Sequence, residues 1–205
     1  MNKPPPGQVR IIAGTLRGSK LPVPDLPGLR PSSDRARETL FNWLQHDLAG
    51  RRVLDLFAGS GALGFEAASR GAAEVWLLER DPSQARSLAE SAKRLKTDQV
   101  QVRSVDAMRW LADPAQGRFD LVFIDPPFSA GLWHAAARAL APRLAVRAWV
   151  YVEMAVTAAF DVPLGWTLHR EGKTRNVRHL LFRTESPIGA DTLPGSFHGA
   201  GIVQA

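Results

Sequence analysis

From residue 52 onward, short apolar segments alternate with longer segments in which apolar residues recur every three to four positions. The short segments predict buried strands, and the longer ones predict the helices between them. Because strands that alternate with helices usually lie parallel, we expect an α/β fold whose mostly parallel sheet is covered by helices on both faces. The predicted strands are Val53–Phe57, Val75–Glu79, Val100–Val105, Phe119–Ile124 and Val146–Glu153, followed by an antiparallel pair, Trp166–Arg170 and Val177–Arg183, which makes a seven-stranded sheet.

Four helices are predicted between these strands. The first follows a glycine-rich loop and ends near Arg70, and the second begins at Asp81-Pro82, where proline suits the first helical position. A short helix near Met108–Leu111 and another over residues 132–140 complete the set.

The segment before residue 51 has a different pattern. Two short apolar stretches, Val9–Ala13 and Lys20–Val23, are joined across glycines, which predicts a β-hairpin. Asp34 is suited to cap a helix that runs to about Leu48. We therefore expect three regions: an N-terminal extension of hairpin and helix over 1–50, a main domain over 51–185, and a flexible tail over 186–205 that is rich in glycine, proline and small residues.

Composition narrows the class of protein. The 205 residues are 45% hydrophobic and 22% charged, which are ordinary values for a globular chain. No apolar run reaches the roughly 18 residues of a membrane span, and the first residues have no apolar core of a secretory signal, so we expect a cytoplasmic protein. The absence of cysteine excludes disulfides, thiolate metal sites and a cysteine nucleophile. The five histidines have no metal-ligand spacing, and we predict no metal site.

The positive charge is concentrated at one end of the chain. Of the net charge of +6, residues 1–37 carry +5, from seven basic and two acidic residues. A basic segment beside a neutral domain favours a polyanionic partner such as nucleic acid, although a solvated surface is the alternative. The candidate RNA-binding residues are Arg10, Arg17, Arg30, Arg35 and Arg37, together with Lys173 and Arg175 near the C-terminal strands.

A glycine-rich loop follows the first strand of the main domain. Gly59, Gly61 and Gly64 match G-x-G-x-x-G, which by itself is a weak indication of a dinucleotide site or simply of a tight turn. Asp55, just before the loop, would repel a pyrophosphate but suits the ammonium group of S-adenosylmethionine. Glu79, at the end of the second strand, is placed to accept hydrogen bonds from ribose hydroxyls. The other candidate cofactor-binding residues are Phe57, Ala58, Ser60, Arg80, Ala107 and Met108, with Asp106 able either to approach an adenine amino group or to cap a helix.

The tetrapeptide Asp125-Pro126-Pro127-Phe128 follows the fourth strand and forms the predicted catalytic loop. The two prolines make a rigid loop that presents carbonyl oxygens. An exocyclic amine of a nucleobase could donate its two hydrogens to the Asp125 carboxylate and the Pro126 carbonyl, with its nitrogen directed at an electrophilic methyl group. Phe128 could stack on the base. An ordinary turn with a buried phenylalanine is the alternative.

These features resemble the class I S-adenosylmethionine-dependent methyltransferases that modify exocyclic amines through an [N/D]-P-P-[Y/F] motif. Val9-Arg-Ile-Ile-Ala-Gly and residues 28–43 further resemble the N-terminal motifs of the RsmD family. The resemblance implies a Rossmann-like fold, S-adenosylmethionine as cofactor with S-adenosylhomocysteine as product, and methylation of guanine N2 in 16S ribosomal RNA, of the guanine 966 type. It also implies that residues 125–128 hold the guanine and that Arg30–Arg37 lies near the RNA. One departure is the stretch Lys173-Thr-Arg-Asn-Val177, which lacks the family's glycine.

Several readings remain open from the residues themselves. Asp125 does not distinguish guanine from adenine, since both bases can present an exocyclic amine, so an adenine-N6 methyltransferase acting on DNA or RNA is the alternative. An NAD-dependent oxidoreductase is opposed by Asp55, and a silent RNA-binding module would not need the Asp125–Phe128 loop. We expect a monomer whose partner is 16S ribosomal RNA within the 30S subunit or its assembly intermediates, and no membrane.

Overall fold

A computed structural model of the chain describes residues 7–23, 34–113 and 117–185. The described strands are β1 (Gln8–Arg10), β2 (Lys20–Pro22), β3 (Arg52–Asp55), β4 (Glu74–Glu79), β5 (Val100–Ser104), β6 (Phe119–Ile124), β7 (Leu144–Ala155), β8 (Trp166–Lys173) and β9 (Val177–Thr184). The α-helices are α1 (Asp34–Trp43), α2 (Ala62–Ser69), α3 (Pro82–Leu95), α4 (Ala107–Ala112) and α5 (Trp133–Leu140).

Seven of the strands form the central sheet, in the order β5-β4-β3-β6-β7-β9-β8. The five strands β3 to β7 pair in parallel, whereas β9 is antiparallel to both of its neighbours. This arrangement confirms the predicted α/β fold with a mostly parallel, seven-stranded sheet. The strand order reverses between β3 and β6, and the carboxyl ends of strands at such a switch point form the crevice in which ligands bind.

Two apolar clusters cover the two faces of the sheet. One joins residues of α1, α2 and α3 to one face, and the other joins residues of α4 and α5 to the opposite face. Ile11 and Leu21 of the hairpin belong to the first cluster, together with Leu40 and Phe41 of α1. The described part of the N-terminal extension therefore packs into the same core as the main domain.

The N-terminal elements are shorter than the apolar pattern predicts. The hairpin is confirmed, with Val9 opposite Leu21, but each strand has only three residues. Helix α1 ends at Trp43 and not near Leu48, because residues 44–47 tighten into a turn in which the Asp47 amide donates to the Leu44 carbonyl. Leu44 and Leu48 are nevertheless buried, so the pattern predicts their burial correctly and the length of the helix incorrectly.

Some sequence-based expectations lie outside the described residues, among them the basic residue Arg30 and the predicted tail over 186–205. Among the residues that are described, no helix is both long enough and apolar enough to cross a bilayer.

Candidate active site

Two aspartates flank the point at which the strand order of the sheet reverses. Asp55 is the last residue of β3, and Asp125 directly follows β6, the parallel neighbour of β3. Asp55 pairs with Phe123, two residues before Asp125, so both aspartates lie at the same edge of the sheet. The structure thus brings the two halves of the predicted site, the glycine loop and the Asp125–Phe128 loop, into one crevice.

Asp55 is a buried carboxyl group with an unmet need for a partner. It is 1% exposed, and backbone N–H groups of Phe57 and Gly64 donate to it. Burial raises its pKa from 3.8 to about 7, because desolvation outweighs these hydrogen bonds and the nearby Glu79 adds repulsion. Its buried Oδ1 atom has no hydrogen-bond partner among residues 7–23, 34–113 and 117–185. An ammonium group would supply both the missing donor and the missing charge, which fits the amino group of S-adenosylmethionine.

The glycine loop takes a backbone path that requires glycine at two positions. Gly59 and Gly61 have φ angles of +52° and +77°, in the left-handed region that other residues rarely adopt. Gly64 serves a different purpose, since a Cβ atom there would come within 2.1 Å of Leu77 Cδ2 and push α2 away from the sheet. Ala58 and Ser60 are buried and Phe57 is half-buried beside them.

Side chains from β4 and α3 hold this loop in place. The Glu79 carboxylate accepts hydrogen bonds from Gly59 N at 3.0 Å and Asp81 N at 2.8 Å. Gln84, a buried residue of α3 that sequence reasoning missed, donates from its amide to the Gly59 carbonyl. Each carboxylate oxygen can accept a second hydrogen bond, so Glu79 retains capacity for ribose hydroxyls. The loop is therefore ordered by side chains that also border the predicted cofactor site.

Asp106 takes one of the two roles left open by the sequence. Its Oδ1 atom accepts hydrogen bonds from Met108 N and Arg109 N, both at 3.0 Å, and so caps α4. Capping leaves contact with an adenine amino group possible, and Asp106 stands after β5 at the same edge of the sheet. Of the neighbouring candidates, Ala107 is buried, Met108 is half-buried and Arg80 is exposed.

The Asp125–Phe128 loop combines the carboxylate of Asp125 with an exposed aromatic ring. Asp125 is half-buried and Pro126 buried, whereas Pro127 is exposed. Phe128 is 42% exposed, unusual for so large an apolar side chain, and its ring packs 5.7 Å from that of Trp133. The alternative of an ordinary turn with a buried phenylalanine is therefore wrong. An exposed ring supported from one side is available to stack on a base.

The candidate RNA-binding residues fall in two regions, the β8–β9 turn and the N-terminal extension. Lys173 and Arg175 lie at the exposed β8–β9 turn, which reaches the same edge of the sheet as Asp125 because β9 begins opposite Ala155 at the carboxyl end of β7. Arg10 and Arg35 are exposed on the N-terminal extension. Arg17 is exposed in the hairpin turn, which contacts Ser69, the last residue of α2. Because the glycine loop precedes the first residue of this eight-residue helix, the turn lies about 12 Å from the loop along the helix.

The β8–β9 turn closes without the glycine that the sequence comparison leads one to expect. Thr174 N donates to the Val177 carbonyl at 2.9 Å, and Val177 N donates to Thr174 Oγ1 at 3.2 Å. Among the described residues, the non-glycine positions with positive φ are Lys96 and Arg147, so this turn requires no left-handed residue. A glycine is therefore not needed here for backbone reasons.

The prediction that Arg37 contacts RNA is wrong. Its side chain is fully buried and forms ion pairs with Asp34 at 2.6 Å and Glu66 at 3.6 Å. It also donates to the Arg10 carbonyl at 2.9 Å, which joins α1 to the hairpin. The charge of Arg37 is therefore neutralised inside the protein and is not presented to a phosphate.

Sequence reasoning also missed a polar cluster near Asp125, formed by Tyr151, Glu153 and His179. All three are buried, on strands β7 and β9. The available indication was the spacing of Tyr151 and Glu153, which lie two residues apart in the otherwise apolar segment 148–155 and therefore on one face of the strand. His179 had no local indication, because it reaches the cluster only through the pairing of β9 with β7.

Comparison with known proteins agrees with this geometry. The model of the family described as "Conserved hypothetical protein 95" matches residues 9–183. The ribosomal RNA small subunit methyltransferase D of Escherichia coli K12 is 44% identical over 188 residues, which cover 90% of this chain and 94% of that protein. The protein of the same name from Haemophilus influenzae is 43% identical, over 86% of this chain and 94% of its own length.

A solved structure shows the same fold. The putative methyltransferase yhhF from Escherichia coli superposes with a TM-score of 0.80 at 44% sequence identity, covering 88% of this chain and all of that one. The match of the family model to most of the chain, the identity to these relatives and the shared fold lead to one conclusion: the chain belongs to the conserved hypothetical protein 95 family, the RsmD family.

Proposed function

We propose that this protein transfers a methyl group from S-adenosylmethionine to the exocyclic N2 of one guanine in 16S ribosomal RNA, of the guanine 966 type, during maturation of the 30S subunit. As a member of its family it is an S-adenosylmethionine-dependent methyltransferase that acts on ribosomal RNA. The observation that carries the proposal is the pairing, at one switch point, of Asp55 and its unmet cation site with the Asp125–Phe128 loop.

The β3 side of the crevice would hold the cofactor. Asp55 would bind the ammonium group, the backbone of the glycine loop would lie against the amino-acid portion, and Glu79 would accept the ribose hydroxyls. Asp106, with Ala107 and Met108 beside it, would border the adenine. When bound, the cofactor supplies an electrophilic methyl group and leaves as S-adenosylhomocysteine.

The β6 side of the crevice would hold the base. The Asp125 carboxylate and the Pro126 carbonyl would accept the two amine hydrogens, and Phe128 would stack on the ring, an interaction worth about 1–3 kcal/mol. This arrangement directs the nitrogen lone pair away from the protein and toward the methyl group. Once the nitrogen has gained the methyl group it is acidic, and the Asp125 carboxylate can accept its proton. The target guanine must leave its stack to reach this position.

The surroundings of the crevice suit an RNA substrate. Lys173 and Arg175 project from a turn at the catalytic edge, where they could neutralise phosphates that flank the extruded base. Arg10 and Arg35 would extend the contact along the N-terminal extension, and Arg17 would reach RNA farther from the target base. A substrate as large as an assembled subunit could contact both the β8–β9 turn and the N-terminal extension.

The test is transfer of tritiated methyl to naked 16S RNA, to 30S particles from cells that lack the enzyme, and to duplex DNA. We expect label in RNA or particles as N2-methylguanine, and no activity for Asp125→Ala, while the exposed Asp98→Ala serves as a matched control with full activity. Label in N6-methyladenine would replace the proposal by the adenine reading. Full activity of Asp125→Ala would remove Asp125 from the mechanism.

A further inference from the structure

The cluster of Tyr151, Glu153 and His179 has no part in the function proposed above. The three side chains are 1%, 6% and 7% exposed, respectively, among the least accessible polar groups of the described protein. The Tyr151 hydroxyl donates to Glu153 Oε2 at 2.9 Å and lies 2.9 Å from His179 Nδ1. The buried Nε2 atom of His179 has no hydrogen-bond partner in the described part of the chain. A buried polar cluster whose hydrogen bonds are incomplete contributes little to stability, which favours a role in the site.

The directions of these hydrogen bonds follow from the single proton of the phenol. Burial and the charges of Glu153 and Asp125 raise the pKa of Tyr151 well above its usual value, so the hydroxyl keeps its proton. The hydroxyl donates its hydrogen bond to Glu153, and its oxygen must then accept the Nδ1 hydrogen of His179. His179 therefore orients Tyr151, and Tyr151 in turn orients the Glu153 carboxylate.

The pairing of strands places Glu153 next to the catalytic aspartate. Ile124 pairs with Val152 in the parallel β6–β7 ladder, so Asp125 and Glu153 each directly follow one member of this pair. Neighbouring strands lie about 4.8 Å apart, and Asp125 is close enough for its charge to act on Tyr151, which shares a face with Glu153. Asp125 and Glu153 thus occupy neighbouring positions on adjacent strands, at the edge of the sheet where the base is expected.

A second connection ties Glu153 to the aromatic part of the loop. Trp133 Nε1 donates to the Glu153 carbonyl at 2.7 Å, and the Trp133 ring supports Phe128. The position of Glu153 is therefore fixed relative to both ends of the Asp125–Phe128 loop.

The edge of guanine that carries N2 explains what a second carboxylate could do. In guanine the atom next to the amine-bearing carbon is N1–H, a hydrogen-bond donor. In adenine the atom next to the carbon that bears N6 is N1 with a lone pair, an acceptor. Asp125 recognises an amine in either base, whereas a carboxylate beside it accepts the guanine N1–H and repels the adenine N1.

We propose that Glu153 is the residue that selects guanine over adenine, by accepting the N1–H hydrogen bond while Asp125 accepts from N2. Tyr151 and His179 are positioning residues that hold its carboxylate in place. This inference rests on the proposed guanine-N2 function. It assigns base selection to strand β7, outside the Asp125–Phe128 loop, which by itself fits both bases.

The test uses 2-aminopurine, which keeps the amine of guanine but has an acceptor at N1. The RNA or particle that accepts methyl groups is rebuilt with 2-aminopurine at the target position, and kcat/KM is measured for both bases. We expect the native protein to prefer guanine by about 100-fold, since a charged hydrogen bond is replaced by repulsion. Glu153→Gln should lose about 10- to 100-fold on guanine and gain on 2-aminopurine, because its amide can donate to N1.

The change of preference separates base reading from structural damage. A damaged site would lower kcat/KM for both bases by the same factor, and that result with Glu153→Gln would overturn the inference while leaving the guanine-N2 function intact. Methylation of adenine by the native protein would instead overturn both. The exposed Glu90→Gln, on α3, is the matched control and should keep both rates and their ratio.

A second variant covers the case in which Glu153→Gln does not fold. Tyr151→Phe removes only the hydroxyl that orients Glu153, and we expect the guanine preference to fall by roughly 10-fold, with cofactor binding unchanged. An unchanged preference in Tyr151→Phe would also contradict the inference. Thermal unfolding and cofactor binding of each variant verify that the fold is retained.

Discussion

Two buried carboxyl groups lie against helix α2, and they differ in the partners that the protein provides for them. Glu66, on the helix, accepts hydrogen bonds from Ile12 N at 2.8 Å and Ala13 N at 3.0 Å, and forms ion pairs with Arg37 and Arg70. Asp55, beside the loop that leads into the helix, has no cationic partner among the described residues, and none of them donates to its buried Oδ1 atom. A buried charge that is fully partnered indicates architecture, and one that lacks its partner indicates a place for a ligand.

The difference extends to the regions that surround the two groups. Glu66 joins the hairpin, α1 and α2, through Ile12, Ala13 and Arg37. Asp55 belongs to the edge of the sheet where the glycine loop, Glu79 and Asp125 meet. The molecule thus separates a region that holds the N-terminal extension in place from the region that we propose binds cofactor and base.

The largest effect should come from removing the partnered charge. Glu66→Gln leaves the buried Arg37 without its buried counter-ion and offers the two backbone donors a poorer acceptor. We expect the free energy of unfolding to fall by about 3–5 kcal/mol, as for other broken buried pairs. Urea unfolding of Glu66→Gln beside Glu38→Gln, an exposed glutamate of α1, measures the effect. Equal stability of the two variants would show that Glu66 does not hold the extension.

A pair of glycines in the hairpin tests the same region through packing. Gly14 and Gly18 both have positive φ, +82° and +84°, but a Cβ on Gly14 would lie 1.9 Å from the Ser69 carbonyl oxygen, whereas one on Gly18 would meet nothing within 4 Å. Gly18→Ala should cost about 1–2 kcal/mol of unfolding free energy, from backbone strain alone. Gly14→Ala should cost about 3 kcal/mol or more, since contact with α2 is lost as well. Equal losses in thermal unfolding would mean that the hairpin turn does not pack on Ser69.

Local sequence carries enough information for the cofactor and base loops. The Asp55–Gly64 and Asp125–Phe128 segments are each contiguous, and their backbone requirements, positive φ and proline-fixed φ, are visible as residue types. The alternation of apolar segments predicts the sheet equally well, because burial on both faces leaves a continuous apolar run.

Partnerships between distant residues are not visible in this way. Glu66 meets Ile12 and Arg37 only after α2 and the hairpin have packed together, and a basic residue in a basic segment gives no sign that it will be buried. His179 likewise meets Tyr151, from which it is separated by 28 positions in the chain, only through the pairing of β7 with β9. These features depend on strand order and register, which the amino-acid pattern does not specify.

Removing the charge of Asp55 should weaken cofactor binding without lowering the free energy of unfolding, the opposite of the pattern expected for Glu66. In Asp55→Asn the amide oxygen can still accept from Phe57 N and Gly64 N, but the negative charge is gone. We expect affinity for S-adenosylmethionine to fall about 10- to 100-fold, with the free energy of unfolding at pH 8 unchanged or higher. Calorimetric titration and urea unfolding of the same preparation measure both. A large loss of stability together with unchanged affinity would place Asp55 in the same class as Glu66.

The smallest effect concerns pH. We expect Asp55, but not Glu66, to make stability and cofactor affinity depend on pH. Because burial raises the pKa of Asp55 from 3.8 to about 7, the folded protein binds a proton that the unfolded chain releases between these values. The contribution of Asp55 to stability without ligand is therefore largest near pH 4, falls as the pH rises to about 7, and is constant above it. An ammonium ligand needs the ionised form, so affinity for S-adenosylmethionine should fall about tenfold for each pH unit below 7 and level off above it.

Titrations of the cofactor between pH 5.5 and pH 8, with the Asp55→Asn variant in parallel, test this linkage. The variant should bind weakly and with little dependence on pH, because it has no proton to lose at this position. If the native protein also binds with constant affinity across this range, Asp55 is already ionised in the free protein. The contrast between the two carboxyl groups would then lie in their hydrogen bonds alone and not in their charge.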